Sequence, residues 1–348
     1  NRVAHRLHQL SCLTHTRRWP DARTVYAWEM AQVAKRANAA LIHCHFLWNG
    51  EIAVRAGELA GIPVLCTAHG TDVNTATVDD EYRATLQTKV FPKLHHVIAV
   101  SQFIRDRLIQ IGCPEDKISV LHLGVPLAAP HDDAREPAPE QSATGAAPDN
   151  SSTITVVCVA SFLPVKGHLD LLAAFAQARQ ELPALRLVLV GDGPERPGIE
   201  RCIWGSALAD VVRLSGWLSP DTVTQELAAA HIYAQASFRC EKPNGGGASE
   251  EGLPVSMIEA AAHGLPLVAT ASGGIPEICH HEVNGLLVPE RNTNALADAL
   301  VRLGRDPALR FEMGCQSRRI AEGEFDSRKQ ISNLEDLYSG LMGNGRRT

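Results

Sequence analysis

The chain has 348 residues, 45% hydrophobic and 21% charged; this near-average globular composition excludes a disordered or membrane-embedded protein, and the length suits two medium-sized domains. No apolar run approaches the ~20 residues of a membrane-spanning helix, and no basic-then-apolar signal pattern opens the chain, so the default location is the cytoplasm. Formal net charge is −6, with 14 Lys/Arg against 11 Asp/Glu in residues 1–126 and 19 against 28 in residues 127–348. A mildly basic, histidine-rich first half suits an anionic substrate or membrane surface, or simply a solvated face. Nine cysteines lack any CxxC pair or regular spacing, which argues against a zinc site and a disulfide framework and predicts reduced thiols.

In chain order, short β-like apolar runs alternate with helical stretches. Strands are expected at 40–46, 63–68, 96–100 and 118–123, with helices near 51–60, 80–94 and 102–111. Residues 127–152, rich in Pro, Ala, Ser and Asp without an apolar period, read as a solvated linker. Beyond it, strands are expected at 153–160, 185–191, 211–216, 232–237, 266–271 and 285–289. The helix at 167–181 carries Leu169, Leu172, Ala173 and Ala176 as a one-sided stripe. A last helix, about 328–342, aligns Ile331, Leu334, Tyr338 and Leu341 on one face, which must pack on something, such as the domain junction.

This alternation predicts an α/β protein: a first domain over 1–126, a second over 153–325, and a C-terminal helix in 326–348. Each domain should hold a Rossmann-like parallel sheet covered on both faces, the two facing across a cleft and binding ligands at the carboxyl ends of their strands.

The stretch "ASEEGLPVSMIEAAAHG" (248–264) concentrates the chemistry. Pro254 suits the first helical position, Gly264 the stop, and the free amides at the helix start make an anion site. Glu259 lies within this otherwise apolar helix and needs a polar partner; a helix-dipole or arginine-paired carboxylate is its plain structural reading. His43 and His45 share one strand face but have no third ligand nearby in sequence, so a metal site is rejected there.

Glu251, seven residues, then Glu259, followed by "HGLPLVATASGGIPEI" and "NGLLVP", closely resemble the donor-binding signature of retaining glycosyltransferases with the GT-B fold, the group 1 or family 4 type that includes bacterial polysaccharide enzymes. "SFLPVKGHLDLLAAF", "LVLVGDGPE", "VRLSGWLSPDTV", "TAHGTDV" and "VSQFIRDRLIQIGCPEDKISVLHLGV" match in order and spacing, so the resemblance covers about 40 to 325.

The resemblance implies that Glu251 touches the donor sugar's hydroxyls, that Glu259 holds the nucleotide ribose, and that amides around Gly252, Leu253, Pro254, Val255 and Ser256 bind the diphosphate. Lys166 corresponds to the lysine that neutralises the leaving phosphates, and His69 to the histidine near the donor sugar or its reacting phosphate. Gly191 and Gly193, flanking Asp192, form a turn near the nucleotide; Trp217 and Leu218 border the base; Asp72 is a lesser candidate for acceptor binding. The family's arginine five positions before the lysine is replaced by Ser161, so phosphate charge rests on Lys166 and the helix dipole, or on another arginine such as Arg239.

The implied donor is a UDP- or GDP-sugar and the acceptor a glycan or lipid-linked hydroxyl, with no cofactor, no metal and no nucleic-acid partner. By analogy with relatives, the work is exopolysaccharide or envelope-glycan assembly at the inner membrane face, with peripheral contact to anionic lipid. Residues 1–39 show no counterpart of the strand and glycine-rich loop that open family members, and an N-terminal truncation is expected. A GT-B sugar-nucleotide epimerase, a phosphorylase and a non-catalytic nucleotide-sugar-binding module are the alternatives. An NAD-dependent Rossmann enzyme is disfavoured because "GDGPERPG" is not GxGxxG.

Overall fold

The computed structural model describes residues 21–127, 153–241 and 248–344. Their contacts divide into two compact units: one takes the chain up to Leu121 and again from Ile331, the other takes 122–241 and 249–330. The expected linker lies outside the described residues apart from Leu127, as do residues 1–20.

The N-terminal unit opens with α1 (Ala22–Arg36), capped by the Asp21 carboxylate on the Thr24 amide. No helix is expected there from the sequence, because its buried face is mostly small: Val25, Ala27, Ala31 and Ala34. Ala27 and Ala31 pack with Ala56, so small residues let this helix lie close to α2 (Gly50–Ala60). Between them runs β1 (Ile42–His45). Next come β2 (Val64–Ala68), α3 (Thr71–Ala76), α4 (Asp80–Thr85), β3 (His96–Ala99), α5 (Gln102–Gln110) and β4 (Ile118–Val120). The four strands pair in parallel in chain order. The single helix expected at 80–94 is α4 followed by a π-helical turn over Leu86–Val90. Lys117 closes this turn by donating from Nζ to the carbonyls of Phe91, Pro92 and Leu94 at 2.9, 3.1 and 2.7 Å, satisfying orphan carbonyls at a helix end.

The C-terminal unit runs β5 (Ile154–Val159), α6 (His168–Glu181), β6 (Leu185–Val190), α7 (Arg196–Trp204), β7 (Val212–Gly216), α8 (Pro220–Ala229), β8 (Ile232–Gln235), α9 (Val255–Ala262), β9 (Leu267–Thr270), β10 (Gly285–Val288), α10 (Thr293–Arg305) and α11 (Pro307–Glu324). Its six-stranded sheet is ordered β10-β9-β8-β5-β6-β7, all parallel. Counted within the unit this is 3-2-1-4-5-6, the doubly wound order whose switch point lies between its first and fourth strands.

The α6 stripe is corrected by the structure. Leu169 and Ala173 are exposed, and the buried face is His168, Leu171, Leu172, Phe175 and Ala178, with Ala174 beside it. Phe175, fully buried with Leu187 and Leu189 of β6 in one core, carries more apolar area than any alanine and sets the helix's rotation. The last helix, α12 (Ser327–Asn344), exists as expected, with Leu334, Tyr338 and Leu341 part-buried, but Ile331 is 56% exposed. No helix among the described residues is long and apolar enough to cross a membrane.

Candidate active site

In the C-terminal unit, β5 and β8 are neighbours whose onward connections diverge, which opens a crevice at their carboxyl ends. Ser161 and Lys166 lie in the loop leaving β5. That loop ends in a single tight turn, Pro164–Lys166, followed by Gly167 at φ 66. A Cβ on Gly167 would lie 1.9 Å from the Ala236 carbonyl oxygen, so only glycine lets the lysine loop seat against the end of β8. Phe238 N completes the seam by donating to Val165 O at 3.0 Å.

Lys166 Nζ meets both carboxylate oxygens of Glu251, at 2.7 and 2.9 Å. Glu251 is only 6% exposed, and a buried carboxylate needs this degree of satisfaction. Gln235 Nε2 and Ser237 Oγ also donate to its Oε1, at 2.9 and 2.8 Å. Behind them Tyr233 donates to Gln235 Oε1 at 2.8 Å and shares a 2.9 Å hydrogen bond with Ser256 Oγ in the first turn of α9. Burial raises the Tyr233 pKa well above its ordinary value, so the phenol stays a neutral link. One hydrogen-bonded chain therefore joins the start of α9 to Lys166, by way of Tyr233 and Gln235, which are absent from the sequence-derived candidates. Its signal is a period-two run, Tyr233, Gln235 and Ser237, which puts three polar groups on one face of a buried strand.

Helix α9 begins one residue later than expected: Pro254 is its cap in extended conformation, not its first turn. The amides of Val255 and Ser256 precede the first backbone bond of the turn, donated by Met257 to Pro254 O, so they are the donors a helix start offers an anion. Gly252, Leu253 and Pro254 are buried ahead of them and Val255 is exposed. Glu259 follows one turn on, half-buried, with its pKa raised by burial. Among the described residues nothing partners its carboxylate, so the arginine-paired alternative is not what the fold builds.

Gly191, at φ 136, sits where a Cβ would be 2.0 Å from the Ala160 carbonyl oxygen, which brings the loop after β6 against the loop after β5. Gly193 follows, its amide accepted by the Asp192 carboxylate at 2.7 Å. Trp217, 74% exposed, and part-buried Leu218 leave the carboxyl end of β7. Ser161 is part-exposed in its turn, its carbonyl accepting from Leu163 N at 2.7 Å. Arg239 pairs with Glu241 and Glu250 at 3.1 and 3.6 Å, so the substitute arginine weighed for phosphate is already committed to two acids. His168, after Gly167, is fully buried against Phe162; burial and then the Lys166 charge push its pKa down to about 4.

In the N-terminal unit, β1 and β2 deliver His45 and His69 to the same carboxyl end. His45 Nδ1 and His69 Nε2 are 2.9 Å apart. His43 stacks on His45 with ring centroids 4.6 Å apart, as strand alternation requires, and its nitrogens meet Tyr338 OH at 2.6 Å and Thr67 Oγ1 at 2.7 Å. Burial lowers the pKa of His69 despite the opposing Asp72 charge, and burial with His45 and His69 lowers that of His43 to about 4. His43 and His69 are therefore neutral near pH 7. No group of three His, Cys, Asp or Glu among the described residues is arranged to hold a metal ion.

Asp72 is placed differently from its expected role. It is fully buried, and its oxygens accept the amides of Leu47, His69 and Gly70 at 2.8, 3.1 and 2.9 Å. It shapes the strand-end loops and has no surface to offer an acceptor.

Fold and site together define a two-unit parallel-sheet α/β protein that holds a lysine, a helix start and an unpartnered carboxylate at a switch point. Residues 153–306 match the model "Glycosyl transferases group 1", and residues 2–129 match "Glycosyltransferase Family 4". The chain belongs to the group 1, family 4 glycosyltransferases and is an enzyme of that class. It is 25% identical to the amylovoran biosynthesis glycosyltransferase AmsK of Erwinia amylovora, over 85% of this chain and 69% of that protein. It is 28% identical to the putative colanic acid biosynthesis glycosyltransferase WcaL of Escherichia coli K12, over 87% and 71%. Among solved structures, HepE of Anabaena in complex with UDP superposes with a TM-score of 0.74 at 21% identity, covering 90% of this chain and 82% of that one. These neighbours bear out the GT-B fold.

Proposed function

We propose that the chain transfers a sugar, with retention of anomeric configuration, from a UDP- or GDP-sugar to a hydroxyl of a glycan or lipid-linked acceptor. The observation that carries this reading is Glu259: a half-buried carboxylate with a burial-raised pKa and no partner among the described residues, one turn inside a helix whose first amides are available to an anion. An ionised carboxylate accepts two hydrogen bonds from a vicinal diol, and a ribose supplies one beside a diphosphate. UDP bound to HepE supports a nucleotide in this fold.

Lys166 and the start of α9 take the charge that develops on the departing diphosphate. Glu251 orients Lys166 and, by the family pattern, reaches the donor sugar; Trp217 and Leu218 border the base. His69, neutral near pH 7, offers a hydrogen bond without a charge. The acceptor oxygen bonds to the anomeric carbon while that carbon's bond to phosphate breaks on the same face. The electron pair leaves with the nucleoside diphosphate, and the hydroxyl proton passes to the departing phosphate oxygen. Positioning and charge stabilisation supply the rate, with no metal in the scheme. Amylovoran and colanic acid biosynthesis, named for AmsK and WcaL, support a role in exopolysaccharide or envelope-glycan assembly, and the basic first half suits an anionic inner membrane face.

The test is calorimetric titration with UDP- and GDP-sugars, followed by turnover in EDTA. One nucleotide series binds and transfer survives chelation; failure of both series to bind, or complete loss of transfer in EDTA restored by a divalent cation, contradicts the proposal.

A further inference from the structure

The carboxyl end of the N-terminal sheet carries a surface that the family motifs do not account for. Phe46 and Trp48 stack with ring centroids 4.8 Å apart and planes 9° from parallel. Phe46 also meets the His69 ring, centroids 4.5 Å apart, so three rings form one run from β1 to β2. Trp48 is 46% exposed. A purely structural aromatic pair would gain more by burying that area.

The backbone holds this arrangement at a cost. Phe46 sits at φ 65 and ψ 130, a region bulky side chains rarely adopt and one that persists only where its surroundings force it. Here they do. Phe46 N donates to Thr67 O at 2.9 Å and Asn49 N to Phe46 O at 3.1 Å. Leu47 N donates to buried Asp72 at 2.8 Å, and Asn49 Nδ2 to His45 O at 2.7 Å. The strain turns the Phe46 ring toward His69 on one side and Trp48 on the other, and the exposed aromatic surface of the run is that of Trp48.

We propose that Trp48, backed by Phe46, forms the acceptor subsite, a platform at the carboxyl end of the N-terminal sheet on which the C–H face of a pyranose ring stacks. The ligand class follows from chemistry. Burial lowers the pKa of His43 and His69 and Asp72 is spent on backbone amides, so this end of the sheet matches an uncharged polyol. Aromatic faces complement the apolar faces of such rings, and His69 and His45 supply polar groups at the edge. The assignment rests on the reading of His69 as a donor-side group, and its test reads sugar and nucleotide separately.

Saturation-transfer NMR and affinity titrations use the methyl α- and β-glycosides of glucose, galactose and mannose, with and without UDP, on the wild-type chain, Trp48→Ala and Trp48→Phe. At least one glycoside binds the wild type through its C–H face. Trp48→Ala weakens it tenfold or more, Trp48→Phe retains most of the affinity, and UDP affinity changes less than twofold in both. Glycoside binding unchanged in Trp48→Ala, or no glycoside bound by the wild type with or without UDP, overturns the proposal. A Trp48→Ala loss of UDP-glucose affinity without loss of glycoside affinity also overturns it, by assigning the platform to the donor sugar. Absent UDP binding would instead break the donor reading, while glycoside binding lost only in Trp48→Ala would still support the platform.

Discussion

The two units share a scaffold and differ in the charge they present at their strand ends. The C-terminal sheet reverses order between β5 and β8 and gathers Lys166, Glu251 and Glu259 around a helix start. The N-terminal sheet runs straight from β1 to β4 and gathers stacked aromatics and histidines, of which His43 and His69 have pKa values lowered by burial. Even a structural device is shared: His95 Nδ1 accepts the Val64 amide at 3.2 Å, and His231 Nδ1 the Thr155 amide at 3.1 Å, each histidine bracing a neighbouring strand. The difference teaches that one parallel-sheet scaffold can present an ion pair and a helix start at its strand ends in one unit, and imidazole and aromatic rings in the other.

The sharpest way to break this contrast is Glu251→Ala. Removing one partner of a buried ion pair leaves Lys166 uncompensated, at a cost of about 3–5 kcal/mol. Thermal and urea unfolding should show that loss, together with loss of transfer, and undiminished stability would mean that the pair does not order the loop. Lys166→Ala comes next, lowering turnover about 10²–10³-fold through lost charge stabilisation, read as nucleoside diphosphate release. Its counterpart in the N-terminal unit, Asp72→Asn, strands at least one of three backbone amides and costs ~1–3 kcal/mol in unfolding experiments, with nucleotide affinity unchanged.

Glu259 gives a pH signature. Its folded pKa is raised by burial alone, so between the unfolded and folded pKa values the folded state binds the extra proton and stability falls as pH rises. Glu259→Gln should therefore unfold at a higher temperature than wild type at neutral pH, and the gain should vanish below the ordinary glutamate range. Nucleotide binding by wild type should weaken as pH falls through the raised pKa. The smallest effect separates the two readings of α6: Leu169→Ala changes stability by about 0.5 kcal/mol or less, whereas Phe175→Ala costs ~3–5 kcal/mol. Equal losses would restore the stripe through Leu169.

How much of this was legible follows from where the chemistry lies along the chain. All ten strands of the two main sheets fall inside the apolar runs read from the sequence, because a parallel strand buried on both faces must be apolar. Lys166, Glu251 and Glu259 stand in short contiguous motifs. The α6 register was misread because periodicity weighs Leu169 and Ala173 as it does Phe175, while packing follows buried area. Helix α1 was missed because alanines give a weak stripe. The run Tyr233, Gln235 and Ser237 was read only as strand, although its alternation places three polar groups on one face. Of the histidine and aromatic cluster, the shared face of His43 and His45 and the candidate His69 were legible, but the meeting of His43 with Tyr338 and of His69 with Phe46 was not, since these residues come together only after the chain has folded.

The most direct measurement is calorimetric titration of UDP and GDP into the wild type, Glu259→Ala and His69→Ala. The account predicts that one nucleotide binds, that Glu259→Ala weakens it tenfold or more, as expected for loss of hydrogen bonds to a charged group worth ~1.5–3 kcal/mol, and that His69→Ala leaves it within about threefold, a difference below 1 kcal/mol. Nucleotide affinity unchanged in Glu259→Ala would contradict it.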